Sequence, residues 1–352
     1  MQLFISYAHL NEKELIPFRP HLTHLRKRGR SVNRELPMEQ SAQQGWPGVP
    51  TIFAACAIAA RGACWPAPLA KGTRGSVESR ALSIPQTLAI IAGNGTYPQA
   101  MARAARSAGV ERLAAAAFQN ETDPALAPLV DELEWLRVGQ LGRLLGFLKK
   151  TGATHAVMSG QIHPRNLFDL RPDIKALVVL AKLKRRNAES IFGAIADEMR
   201  AIGVELLPAT TFMDEHLAPA GLIAGPRLRP REEDDVRYGF HIAKESARLD
   251  IGQTVVVKNG TVLAVEAFEG TNAALKRGGE LGRKDAIMVK VSKPDQDFRF
   301  DVPVIGPLTL EAAREARIRA LGVEAGKTLL MEKDKLTALA ELHRISIFGV
   351  LG

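Results

Sequence analysis

From Leu88 onward the chain alternates short, wholly apolar runs with stretches whose apolar residues recur at helical spacing. The first run, residues 88–92, has the length and continuity of a strand covered on both faces, and it breaks at Gly93-Asn94-Gly95. Pro98 suits the first turn of a following helix, which the pattern carries to about Ala108. Residues 113–118, 134–138, 155–159 and 204–207 read as further strands, with amphipathic helices over 141–150 and 190–202. Strand and helix succeed one another, which predicts an α/β fold with a parallel sheet and helices on both faces.

The texture changes after a Gly- and Pro-rich segment, 219–230, which reads as a linker between a domain over 86–218 and a second over 231–352. Residues 232–249 predict a helix with acids at its start and Arg248 in its last turn, matching the helix dipole. Residues 254–258 and 261–268 flank Asn259-Gly260, and this dipeptide supplies the two positive φ angles of a tight hairpin. A strand over 286–291 and helices near 310–321 and 335–344 complete an α+β second domain without internal repeats.

Residues 1–85 sustain no such pattern, being interrupted by prolines, glycines and basic clusters. They read as a poorly ordered extension or a misassigned start, with a membrane-surface or partner-binding arm as the alternative. The apolar run 49–64 lies too far from Met1 for a signal peptide, and Arg61 breaks it as a membrane span. Of the net charge of +9, residues 1–85 hold 11 Lys and Arg against 5 Asp and Glu, leaving 36 against 33 in residues 86–352. The body is therefore near neutral, and a nucleic-acid footprint is not expected. Both cysteines, Cys56 and Cys64, fall in the same first segment, which removes thiolate chemistry from the body.

Gly93-Asn94-Gly95 opens a strand-to-helix turn whose backbone N–H groups suit a phosphate. Pro98 replaces the third glycine of a dinucleotide fingerprint, and the second strand ends at Gln119-Asn120 with Glu121 displaced. A nucleotide or sugar-phosphate contact, a simple tight turn and a nicotinamide site all remain readings of it. Gly322 to Thr328 ends in Gly-Lys-Thr but is one residue short of a P-loop and runs into strand-like Leu329-Leu330-Met331, so it reads as a turn. Glu266 to Asn272 leaves a strand and enters a helix capped at Thr271 or Asn272; Glu269 there is either a metal or ribose ligand or ordinary capping chemistry.

Lys290, Lys293, Arg299 and Asp301 lie close together in sequence, combining cations for a diphosphate with a carboxylate for a hard cation. Asp301 stands among Phe300, Val302, Val304 and Ile305, and an acid buried in such company would need a partner. Asp250 and Gln253 occupy a helix-end turn of similar interest, and Lys182, Lys184, Arg185 and Arg186 read as a solvated face or a lipid contact. His163, after a strand end, lines a cleft or turns the chain with Pro164, unless it is an acid/base group.

Taken in order, residues 90–95 with Pro98, residues 248–253 (RLDIGQ), 264–271 (AVEAFEGT), 290–294 (KVSKP) and 301–306 (DVPVIG) resemble the motifs of the UDP-2,3-diacylglucosamine pyrophosphatases of the LpxI type, over about residues 87–350. That resemblance implies an N-terminal Rossmann-like parallel sheet with helices on both faces, plus a C-terminal α+β domain that is catalytic. It implies cleavage of UDP-2,3-diacylglucosamine to lipid X (2,3-diacylglucosamine 1-phosphate) and UMP in lipid A biosynthesis, with Mg²⁺ or another divalent cation. Asp301, Lys290 and Arg299 then become catalytic, and Asp301 with Glu269 the metal ligands. Substrate contacts fall on Gly93, Asn94, Gly95, Gly160, Gln161, His163, Asp250, Gln253, Glu266, Gly270, Thr271, Asn272 and Lys293. The family's usual EGTD stands here as EGTN at Asn272, and its commoner lysine-bearing strand end stands as Gly160-Gln161. Such an enzyme is expected in the cytoplasm, peripheral at the inner membrane, with no nucleic-acid partner and with a homodimer as its possible assembly. The rival readings are a non-catalytic nucleotide-sugar or lipid-phosphate binding protein and an NAD-dependent oxidoreductase.

Overall fold

The computed structural model describes residues 84–162, 172–183 and 188–352. His163, Lys184, Arg185, Arg186, both cysteines and the N-terminal extension lie outside the described residues. The described residues fall in one compact unit.

The first half runs β1 (Thr87–Ala92), α1 (Tyr97–Ser107), β2 (Arg112–Phe118), β3 (Glu132–Leu136), α2 (Leu141–Thr151), β4 (His155–Ser159), α3 (Ile174–Lys182), α4 (Ala188–Ala201) and β5 (Glu205–Leu206). Its sheet is parallel throughout, in the order β3-β2-β1-β4-β5. Period-two alternation sends Leu88 and Ile90 of β1 toward Met101 and Ala105 of α1, and Ala89 and Ile91 toward Leu144 and Leu148 of α2. Because both faces are covered, the central strands are apolar without interruption, which is why the run at 88–92 shows no polar face.

The second half comprises β6 (Gly221–Ala224), α5 (Pro230–Arg248), β7 (Thr254–Lys258), β8 (Thr261–Val265), α6 (Thr271–Gly282), β9 (Ala286–Lys290), β10 (Val304–Ile305), α7 (Pro307–Glu315), β11 (Ile318–Glu324), β12 (Leu329–Leu330), α8 (Lys333–His343) and β13 (Ser346–Val350). The larger sheet has the order β6-β13-β11-β9-β7-β8, with β13, β11 and β9 mutually parallel and its outer strands antiparallel. The Asn-Gly hairpin forms as expected, at φ 51° and 73°, and both of its N–H groups donate to Asp235 of α5 at 2.7 Å.

Two expectations need correction. Gly221–Ala224, inside the segment read as a linker, is an edge strand paired with β13, so that segment is built into the second sheet. The helix expected to reach Leu321 ends at Glu315; Arg317 turns the chain at φ 53° and Ile318–Glu324 is a strand. Ile318, Ala320, Leu321 and Val323 are buried, and an apolar run covered on both sides fits either period.

The halves are joined through the loop after β9. Phe298, Val302, Leu329 and Met331 pack into the cluster that holds Leu88, Tyr97 and Met101 of the first half. Ala209 N–H donates to the Phe298 carbonyl at 2.8 Å, and Ala218 N–H to that of Thr328 at 2.9 Å.

Candidate active site

In the strand order 3-2-1-4-5 the chain reverses its direction of winding between β1 and β4, and the crevice outside their carboxyl ends is where such sheets bind ligands. Gly93-Asn94-Gly95 and Gly160-Gln161 occupy that position and are locked together. Asn94 N–H donates to the Gln161 carbonyl at 2.6 Å and Gly93 N–H to that of Ser159 at 2.7 Å. A Cβ on Gly93 would lie 2.5 Å from the Gln161 oxygen, and one on Gly160, at φ 84°, would lie 2.5 Å from the Asn94 oxygen. Glycine at these two positions is thus required by the mutual approach of two backbones. Tyr97, at the start of α1, donates its hydroxyl to the Ala209 carbonyl; burial pushes its phenol well above the ordinary range, so it stays a neutral donor.

The second sheet contributes turns from a single edge. Val291 N–H donates to the Gln253 carbonyl at 3.0 Å and Glu266 N–H to that of Thr254 at 2.8 Å, which brings the turns after α5, β8 and β9 together. Gly252 meets Glu266 so closely that a Cβ would lie 2.0 Å from its carbonyl oxygen. Glu266 is buried and accepts from the Thr271 hydroxyl at 2.8 Å. Gly270, at φ 84°, is the N-cap of α6, one residue before the cap expected at Thr271 or Asn272. Asn272 Oδ1 is buried and accepts no hydrogen bond among the described residues, an orphaned acceptor at the foot of this turn.

Around Asp301 the polar side chains form a circuit. Asp250 pairs with the Lys293 ammonium, and Lys293 N–H donates to Gln296 Oε1 at 2.7 Å. Gln296 Nε2 in turn donates to Asp301 Oδ2 at 2.8 Å and to the Asp301 carbonyl at 3.0 Å. Gln253 Nε2 closes the circuit on the same Oδ2 at 3.2 Å. Asp301 is exposed rather than buried among its apolar neighbours: Val302 and Pro303 turn inward and the carboxylate turns out. The expected burial is therefore wrong, and the partners it does have are two neutral carboxamides.

The expected clamps are placed differently as well. Arg299 makes a bidentate pair with Asp297, down to 2.6 Å, and stacks 4.8 Å over Phe300, which lies against Phe192 of α4. The guanidinium hydrogen bond holds the Asp297 carboxyl below its usual range. Arg299 thus braces the loop that carries Asp301. Lys290 is buried at the end of β9 with its ammonium 3.4 Å from the Val304 carbonyl, and Lys293 is engaged by Asp250. Glu269, which lies before α6, accepts from Arg277 of that helix at 2.6 Å and from Ala267 N–H at 3.1 Å, and it makes no cap bond to the helix backbone.

Among the described residues no group of three or more His, Cys, Asp or Glu side chains is arranged to hold a metal ion. The donor set at Asp301 accordingly fits no protein-only cage. It does fit Mg²⁺, which keeps several waters and commonly takes only one or two carboxylates together with substrate phosphates. Both amide contacts at Asp301 fall on Oδ2, and Oδ1 takes none among the described residues.

Behind this surface lies support that sequence reasoning missed. Lys244 donates to Glu324 Oε2 at 2.8 Å and to the Ser292 carbonyl at 2.9 Å, and Ser292 donates from both N–H and hydroxyl to that same carboxylate oxygen at 2.8 Å. Glu324 is all but completely buried. Burial alone would raise its carboxyl, but hydrogen bonds from Lys244, Lys327 and Ser292 outweigh that and hold it below the ordinary value. Glu324 and Lys327 belong to the stretch set aside as a near-miss P-loop, which is a turn after β11 as expected. Gln296 carries little signal in the sequence, a polar run following a lysine-proline turn.

Residues 87–216 match the family model described as the LpxI N-terminal domain, and residues 219–348 that of the LpxI C-terminal domain. The UDP-2,3-diacylglucosamine pyrophosphatase LpxI of Caulobacter vibrioides is 31% identical over 276 residues, covering 75% of this chain and 97% of that protein. Among solved structures, the biotin carboxylase domain dimer of Hydrogenobacter thermophilus 2-oxoglutarate carboxylase is 12% identical, covering 57% of this chain and 42% of its own, with a TM-score of 0.22 that carries no argument.

Proposed function

This chain belongs to the LpxI family, and from that premise we propose that it hydrolyses the diphosphate of UDP-2,3-diacylglucosamine to 2,3-diacylglucosamine 1-phosphate and UMP, a step of lipid A biosynthesis. The observation that carries this reading is that both family domains match and that the whole Asp250–Lys293–Gln296–Asp301–Gln253 circuit lies within the second of them. The glycine turns at the β1–β4 crevice, which carry no side-chain bulk at Gly93, Gly95 and Gly160, permit close approach of one end of an elongated nucleotide-sugar, as such crevices do.

In the reaction, water attacks one phosphorus of the diphosphate in line, the bond from that phosphorus to the bridging oxygen breaks, and the other phosphate leaves with the bond's electron pair, giving UMP and the lipid 1-phosphate. Asp301 is the residue that would hold Mg²⁺, which when bound offsets charge on the diphosphate oxygens. Gln253 and Gln296 fix the carboxylate's orientation by donating to one oxygen. Lys293, released or shared by Asp250, supplies positive charge on the same loop as Asp301, and Lys290 supplies it from the end of β9. Preset charges of this kind act most strongly in the transition state.

The substrate's two acyl chains call for a peripheral position on a membrane. Along α3, Ile174, Leu177 and Val178 are exposed at helical spacing, forming an apolar stripe that Lys182 ends. No helix among the described residues is long and apolar enough to cross a membrane. A cytoplasmic enzyme seated by this stripe on the inner membrane takes its substrate from the lipid surface. Incubating the full chain with UDP-2,3-diacylglucosamine and Mg²⁺ and following UMP tests the reading; no UMP above the level given by Asp301→Asn sinks it.

A further inference from the structure

At the amino ends of β9, β11 and β13, on the edge of the second sheet opposite the Asp301 circuit, lies a cavity of about 460 Å³. A strand of this length separates the two edges by roughly 15 Å. Its walls include Lys284, Arg314, Arg317, Arg319, His343 and Arg344, with Asp285 as the lining carboxylate. Arg319 is occupied, pairing with Glu232 at 3.2 Å and donating to the Arg344 carbonyl. The side chains of Lys284, Arg314, Arg317 and Arg344 are exposed and enter no ion pair or side-chain hydrogen bond among the described residues.

Helix ends account for part of this charge. Arg314 and His343 stand in the last turns of α7 and α8, where a cation offsets the helix dipole. Lys284, Arg317 and Arg344 lie beyond the helix ends and need another reason. In a chain whose described body is nearly neutral, four unengaged cations around one concavity repel one another in the free protein. Guanidinium groups in such a cluster match phosphate oxygens in pairs.

We propose that this cavity binds a polyanion bearing two or more phosphate groups, separately from the hydrolytic site. Soluble polyphosphates and phosphate-bearing lipid headgroups share this chemistry, and the test separates them. In the soluble arm, calorimetry with inorganic tripolyphosphate is run on the full chain, on Arg317→Gln/Arg344→Gln, on Arg314→Gln and on Asp301→Asn. In the lipid arm, the same proteins, each also carrying Leu177→Glu so that the α3 stripe does not contribute, are co-sedimented with cardiolipin vesicles, whose headgroup bears two phosphates.

The expected result is saturable binding in at least one arm, weakened about tenfold or more by the double variant, a loss equal to roughly 1.4 kcal/mol. Asp301→Asn should retain it, and the double variant should retain UMP release. Arg314→Gln provides an independent readout should the double variant fold poorly. Absence of binding in both arms, or binding that neither arginine variant weakens, overturns the proposal. Failure of UMP release by the wild-type chain would bear on the hydrolase reading alone.

Discussion

Gln253 and Asp301, forty-eight positions apart in sequence, meet through a 3.2 Å hydrogen bond from amide to carboxylate. The contact ties the turn that follows α5 to the loop that follows β9, and it fixes one oxygen of the carboxylate on which the proposed chemistry turns. Gln296 reaches the same oxygen from within the loop.

Asp301→Asn keeps the shape and an acceptor for these amides while removing the charge. UMP release should fall by roughly 100-fold or more, as expected for loss of a key electrostatic group, with the circular dichroism spectrum unchanged. Near-normal Mg²⁺-dependent turnover would take Asp301 out of the mechanism.

Gln296→Ala removes both contacts to Asp301 and the acceptor for Lys293 N–H. The surface position makes the stability cost small, but a looser carboxylate should lower kcat by about tenfold, corresponding to one or two hydrogen bonds. Steady-state kinetics decide it: a rise confined to KM would mean that Gln296 binds substrate instead.

Gly160→Ala places a Cβ 2.5 Å from the Asn94 oxygen at a φ of 84°. The adjoining turn cannot yield without opening the lock between β1 and β4, so a loss of about 1–3 kcal/mol is expected, together with weakened substrate binding. Chemical denaturation and KM measure the two effects; a variant as stable as the parent would show that the turns are free to separate.

For Glu324 the folded-state carboxyl titrates below the ordinary glutamate value of 4.5. Its contribution to stability is therefore full above that value and is lost as pH falls through the lower, folded one. Melting temperature followed downward from pH 6 should drop less steeply in Glu324→Gln than in the parent. Equal slopes would assign acid sensitivity to other carboxylates. Lys244→Met leaves the buried carboxylate without its main partner and should cost about 3 kcal/mol at neutral pH.

Leu177→Glu on α3 puts a charge into the exposed apolar stripe without touching the core, since Leu177 is 53% exposed. Binding to lipid vesicles should decline while hydrolysis of detergent-dispersed substrate continues. Unchanged vesicle binding would move the membrane contact elsewhere.

Much of this architecture was legible in the chain. The uninterrupted apolar run at 88–92 and the helical spacing after Pro98 report local periodicity, and Asn259-Gly260 states its turn through the φ angles it tolerates. Where an apolar segment is covered on both faces, as at 318–324, periodicity stops discriminating, and the change from helix to strand depended on β9 and β13 lying to either side. The edge strand at 221–224 was hidden for a related reason: its pairing partner is the last strand of the chain, and a Gly-rich sequence does not announce so distant a contact.

At the proposed site, Gly93, Gly160, Asp250, Gln253 and Asp301 can be picked out by composition and order. Their relations cannot. Whether a carboxylate among apolar neighbours faces the core or solvent depends on which neighbours turn inward, and Val302 does so only because the first sheet offers it a surface. Whether a cation is available for substrate depends on the nearest carboxylate in space, which is local for Arg299 and distant for Lys293. Short-range sterics and periodicity are properties of the chain itself, whereas burial and charge pairing arise only once distant segments are brought together.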